Sequence, residues 1–211
     1  MFITFEGIEG CGKSTALRHV ADALAASGED PLRTFEPGGC PLGRTLRAIL
    51  LNVETTLVPR AELQLFLADR AQHVAEVIRP ALAAGRTVLC DRFADSTLAY
   101  QGYARNLDIA AIISLNDFAT GGLVPDLTLL LDLPVETGLA RALARNRERG
   151  LGRSEGRFDS ESIRFHTAVR EGFLDIARRS PRVRVIDATL PEDEVARRCL
   201  DAIRAARAQR S

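Results

Sequence analysis

Lysine is almost absent from this chain: Lys13 stands alone among 28 Lys and Arg residues, all the others being arginine. Net charge is absent too, since 28 acidic side chains face those 28 basic ones, and that balance argues against a dedicated polyanion-binding protein. The four cysteines, Cys11, Cys40, Cys90 and Cys199, form no CxxC pair and have no histidine nearby at ligand spacing. Neither a zinc site nor a redox motif is therefore expected, and they read as free thiols in or near the core. No stretch approaches the ~20 apolar residues of a membrane span. At the N-terminus Met1-Phe-Ile-Thr-Phe5 meets Glu6 and Gly7 at once, whereas a secretory signal needs a basic start and a longer apolar run. The expectation is a cytoplasmic, reducing location with no membrane partner. No internal repeat, low-complexity segment or Pro/Gly-rich linker divides the sequence, so 1–211 are read as one domain, long enough to bury a core without staples.

What is present has the balance of an ordinary globular protein, with 46% hydrophobic and 27% charged residues. Short apolar runs rich in branched and aromatic residues read as buried strands at 2–6, 31–35, 86–91, 126–132 and 182–187. Between them apolar residues recur at helical spacing over about 13–27, 42–51, 59–84, 108–120, 135–149, 159–179 and 191–208. Repetition of strand, helix, strand predicts an α/β fold with a five-stranded parallel sheet flanked by helices. Two segments break the rhythm. Glu36-Pro-Gly-Gly39 is punctuated by proline and glycine, and residues 147–157, RERGLGRSEGR, combine three glycines and many charges with Leu151 as the one apolar side chain. The second reads as a mobile, solvated loop.

Gly7-Ile8-Glu9-Gly10-Cys11-Gly12-Lys13-Ser14 fits GxxxxGK[S/T], directly after an apolar run and directly before a helical pattern that opens near Thr15. The glycines let backbone N–H groups turn inward around an oligophosphate, and the following helix aims its positive end at the same anion. Lys13 would bridge the outer phosphates, and Ser14 would offer its hydroxyl to Mg²⁺. A phosphate loop of this kind suits a small-molecule kinase, a GTPase switch or a motor ATPase. The switch reads guanine through Asn-Lys-x-Asp, for which no lysine is left, and motors carry extra domains for which 211 residues leave little room. A kinase fits the size. The third strand ends Val88-Leu-Cys-Asp91-Arg92, delivering an acid and a base to the carboxyl edge of the sheet, where ligands of parallel α/β folds bind. Asp91 is preferred over Asp132 as the Mg²⁺-linked carboxylate because Arg92 beside it can hold a second phosphate.

These marks and their order resemble the thymidylate kinase family: FEGIEGCGKST at 5–15, FEPGG at 35–39, LFLADRAQH at 65–73, DRFADSTLAYQG at 91–102, PDLTLLLDLPVETGLARA at 125–142 and IDAT at 186–189. The resemblance implies a P-loop nucleoside monophosphate kinase-like fold with a mobile lid at about 147–157. It implies phosphorylation of dTMP to dTDP by ATP with Mg²⁺, a step of dTTP biosynthesis, in a homodimer that binds no nucleic acid. Other readings left open are another nucleoside monophosphate or deoxynucleoside kinase and, more remotely, a non-catalytic nucleotide-binding module.

By the same resemblance Phe66 would stack on thymine and Arg70, four residues on and hence on the same helical face, would donate to a base carbonyl. Ser96, Thr97 and Gln101 would line the nucleotide, Tyr100 would crowd the sugar where a ribose carries its 2′-hydroxyl, and Glu9 would accept from the sugar 3′-hydroxyl. Arg47 and Arg92 would clamp the acceptor phosphate, because the guanidinium fork matches two phosphate oxygens, with Glu36 orienting Arg92 or Arg70. Arg141 would flank adenine and Thr189 would lie near it. The family places its transition-state arginine either in the phosphate loop or in the lid; here the loop position is Gly10, so the lid must supply it. Arg157, in GRFDSESIRF, matches the bacterial pattern best, with Arg153 second. One departure stands out: the family commonly has Arg before EPGG, where this chain has Phe35, so a charge near the acceptor phosphate is missing. His19, His73 and His166 receive no role.

Overall fold

The computed structural model describes residues 1–150 and 156–209. Its strands are β1 (Phe2–Glu6), β2 (Leu32–Phe35), β3 (Val88–Asp91), β4 (Leu127–Asp132) and β5 (Val183–Asp187). All pair in parallel in the order β2-β3-β1-β4-β5. Four of the five start one or two residues later than the apolar runs do, and β1 matches its run throughout. β1 lies at the centre with every residue buried, which is why FITFE shows no polar alternation. Register sets the working edge: Phe5 lies opposite Asp91, and Asp132 opposite Asp187, so the carboxyl ends of the strands present a row of acids beside the turn that follows Glu6.

The helices are α1 (Lys13–Ala26), α2 (Pro41–Leu51), α3 (59–83), α4 (94–104), α5 (Ile109–Thr120), α6 (Val135–Arg149), α7 (Ile163–Arg179) and α8 (Glu192–Ala208). α3 runs as one rod, Pro59–His73 continuing through a π turn at Val74–Ile78 into Arg79–Ala83. Pro80, which has no N–H to offer the preceding turn, lies two residues past the end of that widened stretch. α7 starts at Ile163 and not at 159 because the Ser162 hydroxyl accepts from the Phe165 N–H at 3.2 Å and caps the helix there.

Helices cover both faces of the sheet. On one side Ile3, Phe5, Leu89 and Leu129 pack with Leu17, Val20 and Leu24 of α1 and with Phe165, Val169 and Phe173 of α7. On the other, Phe2, Val88 and Cys90 meet Val74 and Ile78 of α3 and Phe93. Truncating one of the leucines, isoleucines or phenylalanines among them to alanine would cost on the order of 2–5 kcal/mol. All four cysteines are free and buried.

α4 has no counterpart among the predicted helices. Its buried positions include Asp95, Thr97 and Gln101 beside Ala99 and Tyr100, so its inward face is half polar and gives no apolar stripe. A π turn at Leu98–Ala104 shifts the spacing further.

Candidate active site

The turn from β1 into α1 wraps around Lys13. Its ammonium donates to the carbonyls of Gly7 at 3.1 Å and Ile8 at 2.8 Å and to Cys11 Sγ at 3.4 Å, and the residue is only 8% exposed. Gly12 takes a left-handed φ of 90° at the start of α1, a conformation that only glycine adopts freely. Gly10 also has a positive φ, and a Cβ there would collide with the backbone of Gly138 in α6. A long side chain, arginine included, has no room at that loop position.

At the mouth of the loop Ser14 Oγ donates to Asp91 Oδ2 at 2.6 Å. Two hard oxygen donors, one of them anionic, suit Mg²⁺, which takes one or two protein oxygens and fills its other positions with water and phosphate. Among the described residues no group of three or more His, Cys, Asp and Glu side chains converges on a metal-sized site. Asp132, the competing carboxylate, is held by Arg170 of α7 through two bonds of 2.7 and 2.9 Å.

Arg92, just past β3, has a left-handed φ of 71°, uncommon for a residue with a Cβ and typical of functional positions. That turn sends its guanidinium back over the sheet edge. Nη1 donates to the Gly7 carbonyl and to Ser96 Oγ, each at 3.1 Å, and Nη2 to Glu9 Oε1 at 3.2 Å, while the group lies 4.9 Å above the Tyr100 ring. The Tyr100 hydroxyl donates to the same Glu9 oxygen at 2.5 Å, and burial pushes its phenol well above the usual range, so it stays a donor. Burial alone would raise the Glu9 carboxyl, but the hydrogen bond from His166 and the charges of Arg92 and Lys13 outweigh it and hold it at about 2. Glu6 underpins the turn, accepting from the Phe93 N–H at 2.8 Å and from Ser96 Oγ at 2.6 Å. Burial, with Asp95 adding to it, pushes that carboxyl up to about 7.

Deeper in the cleft Arg70 is 1% exposed. Its Nε donates to Glu36 Oε2 at 2.9 Å, and Nη1 to Thr97 Oγ1 at 2.8 Å and Asn116 Oδ1 at 2.6 Å; Nη2 makes none of these bonds. Of the two arginines that Glu36 could orient, it takes Arg70, and its other oxygen pairs with His73 Nδ1 at 3.0 Å. Asp69 accepts from the Gly38 N–H at 3.0 Å and so pins the EPGG turn; burial, then the Glu36 charge, pushes its carboxyl up to about 6. Phe66 is half-buried, its ring 6.1 Å from Phe158. The Gln101 amide donates to Glu62 at 2.8 Å. Arg47 lies 5.6 Å above the Phe35 ring and donates to the Pro37 carbonyl at 3.0 Å, so the residue that replaces the family's arginine offers a platform to the neighbouring one.

On the donor side Arg141 reaches the Ala188 carbonyl at 3.5 Å, beside Thr189, which donates to Asp187 at 2.6 Å. Arg157, the first candidate for the transition-state role, is docked on α3. Its guanidinium donates to Glu62 Oε2 at 2.6 Å and to the Leu50 carbonyl at 3.1 Å, and its N–H to the Leu51 carbonyl at 3.1 Å. A wholly buried carboxylate on α3 draws it there. Arg153 lies outside the described residues.

Sequence reasoning missed Glu62, Asn116, His73 and His166, which hold the site residues in place. His73 and His166 meet their partners across 37 and 157 residues of chain, and no local spacing announces contacts of that length.

Among the described residues no helix is long and apolar enough to cross a membrane. A family model described as thymidylate kinase matches residues 5–199. The chain is 62% identical over 207 residues, 97% of its length and 95% of the relative's, to the thymidylate kinase of Desulfovibrio desulfuricans. It is 57% identical over 206 residues, covering 97% and 96%, to that of Nitratidesulfovibrio vulgaris strain Miyazaki F. A solved thymidylate kinase from Ehrlichia chaffeensis superposes with a TM-score of 0.77 at 32% identity, covering 97% of this chain and 98% of that one.

Proposed function

The chain belongs to the thymidylate kinase family, and on that premise we propose that it transfers the γ-phosphoryl group of ATP to dTMP, giving dTDP and ADP as a step of dTTP biosynthesis. The observation that carries the reading is the 3.1 Å bond from Arg92 to the Gly7 carbonyl. It ties the cation suited to the acceptor phosphate directly to the loop suited to the donor phosphates, so the two reacting groups would lie side by side. Lys13 would turn from the loop carbonyls to the β- and γ-phosphates, and Arg92 with Arg47 would hold the acceptor phosphate. That phosphate is already an anionic nucleophile, so no general base is needed and the transfer runs in line without a covalent enzyme intermediate. When bound, Mg²⁺ held through Ser14 and Asp91 would neutralise charge on the donor phosphates.

The family resemblance suggests the acceptor contacts, and the side-chain chemistry supports them. Phe66 offers its ring to the base, and Arg70 Nη2 is the donor for a base carbonyl. With the Gln101 amide nitrogen committed to Glu62, its carbonyl oxygen is left to accept from the ring N–H. Thr97 lines the same edge, while Tyr100 and Glu9 meet the sugar. Arg141 and Thr189 flank adenine. Arg157, the first candidate for the transition-state role, would leave Glu62 for the phosphates when both substrates are bound, with Arg153 the second candidate and 147–157 acting as a lid on a single domain of 1–211.

We also propose a cytoplasmic homodimer that binds no nucleic acid and no membrane. Ile113 and Phe118 of α5 are 54% and 86% exposed, apolar area of the kind a second copy would cover. ADP release measured with ATP and each nucleoside monophosphate in turn tests the function. Turnover with dTMP far above the rest supports it; preference for another monophosphate moves the enzyme to a sister activity, and no release with any reduces the chain to a binding module.

A further inference from the structure

His166 of α7 is wholly buried, and its Nδ1 lies 3.1 Å from Glu9 Oε2. A carboxylate accepts and does not donate, so the ring carries its hydrogen on Nδ1. Nε2 has no hydrogen-bond partner among the described residues, which leaves Glu9 as the polar anchor of the imidazole. The two oxygens of Glu9 are treated differently. Oε1 receives both the Tyr100 hydroxyl and Arg92 Nη2, whereas Oε2 receives His166 and keeps acceptor capacity for one more donor. An anionic carboxylate oxygen with open acceptor capacity suits a hydroxyl donor and not a phosphate, which offers it no hydrogen.

We propose that His166 is a positioning residue that holds Glu9 Oε2 toward a hydroxyl of the acceptor sugar and thereby sets discrimination between dTMP and its 3′-deoxy analogue. The inference rests on the assignment of Glu9 to the sugar. A site built to hydrogen-bond a hydroxyl rejects the analogue lacking it, because its own polar group is then left unpaired. Without the Nδ1–H, Glu9 loses the bond that fixes Oε2 and the strongest influence holding its carboxyl below the usual range.

The test is the ratio of kcat/KM for dTMP to that for 3′-deoxy-dTMP in the wild type and in His166→Leu, His166→Gln and Glu9→Gln. His166→Leu should lower the ratio about tenfold or more while leaving the KM for ATP unchanged, and His166→Gln, whose amide can still donate, should recover most of it. A merely structural role would slow both substrates equally and leave the ratio alone. Where His166→Leu is recovered unfolded, His166→Phe, which keeps a ring without the donor, carries the same comparison. Loss in Glu9→Gln with a wild-type ratio in the His166 variants overturns the inference and spares the Glu9 assignment. A wild-type ratio near one, unchanged in Glu9→Gln, overturns both.

Discussion

Arg157 donates to Glu62 at 2.6 Å, and Glu62 is wholly buried with Gln101 and Arg105 as its other partners. A segment rich in arginine is thus fastened to α3 at one end by a charge-assisted bond, the strong kind in a low-dielectric setting. Arg157→Ala should lower stability by about 1–3 kcal/mol and kcat ~10³-fold, as the loss of an arginine finger does. Arg153→Ala should leave kcat within about tenfold of wild type. Steady-state kinetics and thermal melts on both variants decide it; the reverse pattern in kcat would mean that Arg157 stays on Glu62 during turnover and that Arg153 serves the phosphates.

Lys13 threads beneath its own loop with three acceptors around one ammonium. A guanidinium fork is broader and cannot sit in that ring. Lys13→Ala and Lys13→Arg should both lose ~10²-fold or more in kcat while circular dichroism shows an intact fold, and an active Arg variant would refute the point.

The two carboxylates at the sheet edge should separate cleanly. Asp91→Asn should sharply raise the Mg²⁺ concentration needed for half-maximal rate, because Asp91 shares the Ser14 hydroxyl. Asp132→Asn disturbs a partly exposed pair with Arg170, so it should cost at most about 1 kcal/mol and leave the Mg²⁺ titration where it was.

Glu6 is pushed up to about 7 by burial and by Asp95. A carboxyl raised on folding costs nothing well below its unfolded value, near 4.3, and its cost grows as pH rises from there through about 7. Wild-type stability should therefore fall between pH 5 and pH 8, with Glu6 contributing on the order of 3 kcal/mol. Urea midpoints at the two pH values should differ less in Glu6→Gln, which keeps an acceptor for the Phe93 N–H; an equal difference would remove Glu6 from the pH response.

Periodicity and motif order carried the sheet, the phosphate loop and most helices, since strands buried on both faces and amphipathic helices write their burial into local sequence. α4 was not legible because Asp95, Thr97 and Gln101 face inward, replacing an apolar stripe by polar partners supplied from elsewhere. The docking of Arg157 depends on Glu62, 95 residues away, and the His166–Glu9 bond spans 157. Pairings of that range are fixed by the assembled fold. Gly10 shows the converse: its sequence position argued against a loop arginine, and the backbone of Gly138 explains the absence.

On this reading the phosphoryl group passes directly between two nucleotides held on adjoining sites. Incubation with ATP labelled in its γ-phosphate, dTMP and Mg²⁺, followed by separation of nucleotides from protein, tests it most directly. Label should appear in the β-phosphate of dTDP at the rate of ADP release, with none retained on the chain. Release of label as inorganic phosphate, or its capture on the protein ahead of dTDP, would rule out direct transfer.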